Sequence, residues 1–157
     1  MSAGDDGGAG LELVVLGAGP AYSDRPGDLG SGFLLRAGGD GVVLDLGQGT
    51  FNPLAIAFEP STLAAVAVSH LHPDHFIDLI PLRHYLCRPE LKPTRRVRLI
   101  APRGLADRLD AAWGQDGFTE GAFELELPPT DGPIVAGSVT IEARRVTHAG
   151  ELSLIHI

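Results

Sequence analysis

Apolar residues fall in short runs separated by clusters of Gly, Pro, Asp and Ser, the pattern of strands and short helices joined by tight loops. Residues 11–16 read as a first strand. Residues 32–37 and 42–46 read as two more, joined by Gly38-Gly39-Asp40-Gly41, which tolerate the positive φ of a hairpin turn. Residues 51–58 have helical spacing, with Thr50 or Asn52 placed to start the helix. Residues 63–68 form a compact apolar run of the buried-strand type. Residues 76–86 again have helical spacing, interrupted by Pro81. This predicts a turn and then a helix entered near the proline, where a missing N–H is harmless. Pro89 and Pro93 mark a loop, residues 97–101 a strand, and residues 102–113 an amphipathic helix with Leu105, Leu109, Ala112 and Trp113 on one side. Residues 123–127 and 138–146 alternate as strands do. Strand–helix alternation of this kind places the chain in the α/β class.

Composition narrows the picture. The 157 residues make one domain, and 44% hydrophobic with 20% charged residues suits a globular core. A net charge of −8 argues against a nucleic-acid surface. Cys87 is the single cysteine, so no disulfide forms within the chain and a reducing compartment, the cytoplasm, is expected. No apolar run approaches a membrane span. Residues 1–10 lack the basic and apolar segments of a signal peptide and read as a disordered tail rich in Gly and Asp.

The chemistry concentrates at Ser69-His70-Leu71-His72-Pro73-Asp74-His75, directly after the strand of residues 63–68. Strand alternation carried through this stretch turns His70 and His72 the same way. Asp74 and His75 follow where the chain leaves the strand and can swing back to the same point. Imidazole nitrogen with carboxylate oxygen favours zinc, or a similar ion such as manganese or iron. A polar surface turn is the weaker reading, because three of the six histidines in the chain crowd into this one loop. His84, on the next helix, reads as a surface or packing residue. Gly17-x-Gly19 after the first strand hints at a dinucleotide loop. Tyr22 stands where the third glycine belongs, however, and the Pro- and Gly-rich stretch after it offers no helix N-terminus to a pyrophosphate.

His70-x-His72-x-Asp74-His75 resembles the signature of the metallo-β-lactamase superfamily, and the residues around it resemble the ribonuclease Z and arylsulfatase-like branch of that superfamily. The resemblance covers about residues 11–150. It implies an αββα sandwich, of which this chain holds the first half to two-thirds, and a metal-dependent hydrolase. It further implies that His148, at the end of a late strand, joins His70 and His72 on a first zinc ion, while Asp74 and His75 face a second. Asp74 would also hold or deprotonate the attacking water. Asp45, in Asp45-x-Gly47-x-Gly49-Thr50, matches a residue that steadies the metal loop without binding the ion. Ser23, Asp24 and Arg25 lie in a loop that borders the cleft in the family. Contact with substrate and a plain solvent-exposed turn stand as equal readings for them.

The pattern as resembled needs a further aspartate and histidine that lie beyond this sequence. Residues 152–157 read as the translation of a transposase-end adapter and are expected to be non-native; the alternative is a genuine final strand. The domain is therefore expected over residues 11–151. The expected function is hydrolysis of a phosphodiester or related small-molecule ester by metal-activated water, with one or two zinc ions and manganese or iron as alternatives. A tRNA 3′-end endonuclease ranks below it, because no long basic insertion is visible. A catalytically incomplete metal-binding fragment is the remaining alternative. No membrane partner is expected, and a homodimer is allowed.

Overall fold

The computed structural model describes the backbone of residues 10–90, 95–129, 132–148 and 150–156, with side chains through residue 143. Among the described residues, nine strands and three α-helices follow one another as β1 (Glu12–Gly17), β2 (Gly32–Ala37), β3 (Asp40–Leu46), α1 (Phe51–Ala57), β4 (Ala65–Ala67), α2 (Leu79–Leu86), β5 (Val97–Ile100), α3 (Leu105–Trp113), β6 (Phe123–Glu126), β7 (Gly132–Ala136), β8 (Val139–His148) and β9 (Gly150–His156).

Strands β1 to β6 lie side by side in chain order in one sheet. The first three are antiparallel, and β3 to β6 run parallel. Gly38 and Gly39 both take positive φ (57° and 90°) at the β2–β3 turn, as the sequence predicts. Strands β7, β8 and β9 form a second, antiparallel sheet. Because β1 pairs antiparallel with β2 and the chain between them forms no helix, the strand–helix–strand unit of a dinucleotide site is absent here.

The central strands of the larger sheet are covered on both faces, which explains their continuous apolar runs. Leu34, Val43, Val66 and Leu99 point to the helices, where they meet Leu54, Leu79, Leu82, Leu105 and Leu109. Their neighbours Leu35, Val42, Ala65, Ala67 and Ile100 point the other way, to Ile134, Ala136, Val139, Ile141 and Ala143 of the second sheet. The layers therefore run helix, sheet, sheet. Arg98 of β5 ties the sheets at one edge: Nη2 lies 2.9 Å from Glu126 of β6, and Nη1 donates to the Val135 carbonyl of β7 at 2.8 Å.

Several elements differ from the sequence reading. Thr50 does precede α1, but its hydroxyl donates to the Gly47 carbonyl and caps nothing. The Phe51 N–H is instead taken by Asp78 Oδ2 at 2.9 Å, from 27 residues away. Burial pushes the Asp78 carboxyl above its ordinary pKa, against the lowering effect of the N–H groups of Phe51, Gly49 and Thr50. Helix α3 starts after Gly104, which is left-handed with φ 91°, and not at Pro102. Leu105 and Leu109 are buried as predicted, but Trp113 is 48% exposed and Ala112 is exposed. Trp113 stacks on Phe118 (centroids 5.2 Å apart) and meets His84 edge-on at 4.5 Å, which confirms His84 as a surface packing residue. Strand β7 has no counterpart in the sequence reading. Residues 1–9 of the expected tail lie outside the described residues. Residues 150–156 form β9, paired with β8.

Candidate metal centre

Parallel pairing brings the C-terminal ends of β3, β4 and β5 together, the usual place for a site in such a sheet. The register sets Val43 against Val66 and Leu44 against Ala67. Asp45, one residue on, therefore stands beside the point where the chain leaves β4 for the histidine loop.

His70 and His72 are not strand residues, as alternation had implied. Strand β4 ends at Ala67, and Pro73–His75 makes a single 3₁₀ turn with His72 at its N-cap. The two rings converge all the same: His70 Nε2 lies 2.9 Å from His72 Nδ1. His75 also folds back, its ring centroid 4.0 Å from that of His70, and its Nε2 lies 3.5 Å from Asp74 Oδ2. The loop brings the four residues of the motif into pairwise contact, His72 with His70, His70 with His75 and His75 with Asp74.

Asp45 organises them from behind. It is 6% exposed. Its Oδ1 accepts the Ser69 N–H at 2.7 Å, and its Oδ2 accepts the Ser69 hydroxyl at 2.8 Å. His75 Nδ1 lies 2.7 Å from the same Oδ2. Asp45 adopts φ 56°, a left-handed conformation that costs a non-glycine residue of order 1–3 kcal/mol and that aspartate tolerates better than most.

These bonds fix the proton inventory. The Ser69 hydroxyl spends its hydrogen on Asp45, so the 3.0 Å contact between Ser69 Oγ and His70 Nδ1 takes its hydrogen from the imidazole. His70 Nε2 then carries a lone pair on the side facing His72. Likewise His75 donates through Nδ1 to Asp45 and turns Nε2 toward Asp74. Burial, with the neighbouring charges of His75 and His72, holds the His70 pKa below its ordinary value and so favours the neutral ring. Burial works against charge on His75 too, but the hydrogen bond and charge of Asp45, with Asp74 added, raise its pKa.

The backbone of the loop is also held. The Ser31 N–H donates to the Asp74 carbonyl at 3.1 Å. Gly47 lies so close that a Cβ there would stand 1.8 Å from that carbonyl oxygen. The Gly-rich stretch before β2 thus reaches the histidine loop through Ser31. Within it, Ser23 Oγ donates to Asp28, and the Arg25 N–H donates to Ser23 Oγ at 3.1 Å; Ser23 and Arg25 brace their own turn, and Asp24 is exposed. Residue 148 closes β8, but its side chain, and with it the expected His148 ligand, lies outside the described residues.

The donor set suits a divalent ion. Two nitrogens that each ligate one ion at about 2.0–2.1 Å stand roughly 2.9–3.4 Å apart across bond angles from square to tetrahedral. The His70–His72 spacing of 2.9 Å falls within that range. Among the described residues, no three donors already close on a single point.

The scaffold is thus two stacked sheets with a helix layer, carrying imidazoles and carboxylates at the C-terminal ends of its parallel strands. The sequence model of the Metallo-beta-lactamase superfamily matches residues 25–157, and the chain belongs to that superfamily. The chain is similar to a ribonuclease Z of Mycobacterium marinum, with 31% identity over 112 residues, 68% of this chain and 39% of the relative. Among solved structures it is similar to the metallo-beta-lactamase fold protein YhfI of Bacillus subtilis, with a TM-score of 0.75, 19% identity, and coverage of 93% of this chain and 57% of that one. It also resembles a diphosphatase of the PhnP family, with a TM-score of 0.70, 20% identity, and coverage of 93% and 62%. The chain thus spans less than two thirds of each. Among its described residues, no helix is long and apolar enough to cross a membrane.

Proposed function

We propose that the loop of residues 69–75 is the metal centre of a hydrolase that cleaves a phosphodiester or related small ester. One observation carries this reading: a single carboxylate, Asp45, holds His75 directly and His70 through Ser69, so that both rings turn their Nε2 atoms away from it. Carboxylate–histidine pairs of this kind orient metal ligands in known sites. A buried structural histidine needs no such relay, nor a second imidazole 2.9 Å from its Nε2.

In this reading His70 and His72 hold one divalent ion, with His148 as their third partner, and Asp74 and His75 serve a second. Zinc suits these donors, and manganese or iron are the alternatives. A bound ion supplies Lewis acidity, which makes water a nucleophile near neutral pH and polarises the scissile bond. Asp74 supplies a carboxylate at the mouth of the loop to orient the attacking water and take its proton. Asp45 keeps the rings in the tautomer that ligation requires.

A second reading, tRNA 3′-end cleavage, is favoured by the likeness to ribonuclease Z. The net charge of −8 weighs against it. The test is turnover of bis(p-nitrophenyl) phosphate and of a precursor tRNA with a 3′ trailer, by the zinc-loaded chain beside its His70→Ala variant. Release of p-nitrophenol that the variant abolishes supports the small-ester reading, and trailer cleavage alone supports the second. Zinc binding with turnover of neither leaves a metal-binding unit and overturns the hydrolase reading for this chain.

A further inference from the structure

Helix α3 reaches the histidine loop through Arg108. Arg108 Nη1 donates to the Leu71 carbonyl oxygen at 2.7 Å. Leu71 is the single residue between His70 and His72. Its side chain packs against the helix-side core, with Cδ1 3.9 Å from the place a Cβ on Gly104 would occupy. Pro102 and the left-handed Gly104 delay the start of α3, and this seats its first turn beside the loop. Arg108 belongs to that turn, its own N–H bonded to the Gly104 carbonyl at 3.2 Å.

The loop is held on either side of Leu71 as well. Asp45 fixes Ser69, and Ser31 fixes Asp74. Both of those holds come from the β-sheet side, whereas the hold at Leu71 comes from the helix layer. A peptide unit is planar, so fixing the Leu71 carbonyl fixes the N–H and Cα of His72. A guanidinium makes a charge-assisted bond to a carbonyl, stronger and more directional than a neutral donor makes.

We infer that Arg108 is a positioning residue: by gripping the Leu71 carbonyl it sets the peptide plane that carries His72, and so the spacing of His72 from His70. The inference rests on the reading of the loop as a metal centre. His72 is exposed, whereas His70 is buried and tied to Ser69. Without Arg108 the peptide plane leading into His72 loses this hold, and the His70–His72 separation shifts.

The test uses the full chain with Arg108→Ala, Arg108→Lys and, as a control on the same helix, Asp107→Ala. Two quantities are read. The first is the zinc dissociation constant, by competition with a chromophoric chelator. The second is the amide resonance of His72 in the metal-free chain, against that of Ser69. Partners of metal ligands typically change affinity about 10- to 100-fold, and Arg108→Ala is expected at the lower end, near tenfold. Arg108→Lys should recover part of this, Asp107→Ala should match the parent, and the His72 amide should move in Arg108→Ala while that of Ser69 stays. A zinc constant within twofold of the parent in Arg108→Ala, with the His72 amide unmoved, overturns the inference. A parent that binds no zinc, with the His72 amide still moving, overturns the metal reading and leaves the grip on the loop standing.

Discussion

The carboxylate of Asp45 and the imidazole of His75 are 30 residues apart in the chain and 2.7 Å apart in space. The same carboxylate binds Ser69 through both its N–H and its hydroxyl. Asp45→Asn keeps the shape of the side chain and its tolerance of the left-handed backbone, but loses the charge. It also offers an amide where His75 Nδ1 and Ser69 Oγ need an acceptor. Zinc affinity is expected to fall about 10- to 100-fold while the chain still folds. Chelator competition beside a far-ultraviolet spectrum checks both halves; unchanged affinity would remove Asp45 from the centre.

Gly47 is glycine for a steric reason. A methyl group there would stand 1.8 Å from the Asp74 carbonyl oxygen and 2.8 Å from the Ser31 nitrogen, and both are backbone atoms that cannot swing aside. Gly47→Ala must push the histidine loop away from β3. A loss of at least about 1–3 kcal/mol is expected, the range for overpacking. Gly39→Ser is not a fair control, since its φ is 90°; Gly10→Ala is, with open space around it. Urea unfolding of the two variants should separate them clearly.

Asp110 organises the turn after α3. Its carboxylate accepts from Gly117 N–H at 2.7 Å, Thr119 N–H at 2.9 Å and the Thr119 hydroxyl at 2.6 Å. Burial is the largest single influence and opposes its charge, yet these donors together hold its pKa below the ordinary 3.8. A lowered carboxylate pKa stabilises the fold above the unfolded value and loses that contribution as pH falls through the folded one. Asp110→Ala should therefore cost about 1–2 kcal/mol at pH 7, on the scale of hydrogen bonds to a charged group. The gap from the parent should close as the pH drops below 3.8. A gap that stays constant with pH would show that the ionised carboxylate is not what holds the turn.

The histidine loop was legible because its residues are adjacent in sequence and their chemistry is rare. The central strands β2, β3 and β4 were legible because both of their faces are largely buried, so each reads as a mostly apolar run. Asp45 was found through its place in a glycine pattern, but its grip on Ser69 and His75 depends on the β3–β4 register, which no local signal encodes. Asp78 capping α1 and Arg108 gripping Leu71 were missed for the same reason: each reaches across 27 and 37 residues respectively. Strand β7 was hidden by its opening Gly-Pro and its five-residue length. Trp113 misled because helical spacing marks a face without saying what covers it. Phe118, from the following turn, supplies its partner.

The most direct test is elemental analysis of the purified chain for zinc, manganese and iron, beside His72→Ala prepared in the same way. The metal-centre account expects near-stoichiometric metal in the parent and a large loss in the variant, with a second equivalent per chain if Asp74 and His75 also bind. Metal-free parent protein after purification in metal-supplemented medium, or equal metal in both, would contradict it.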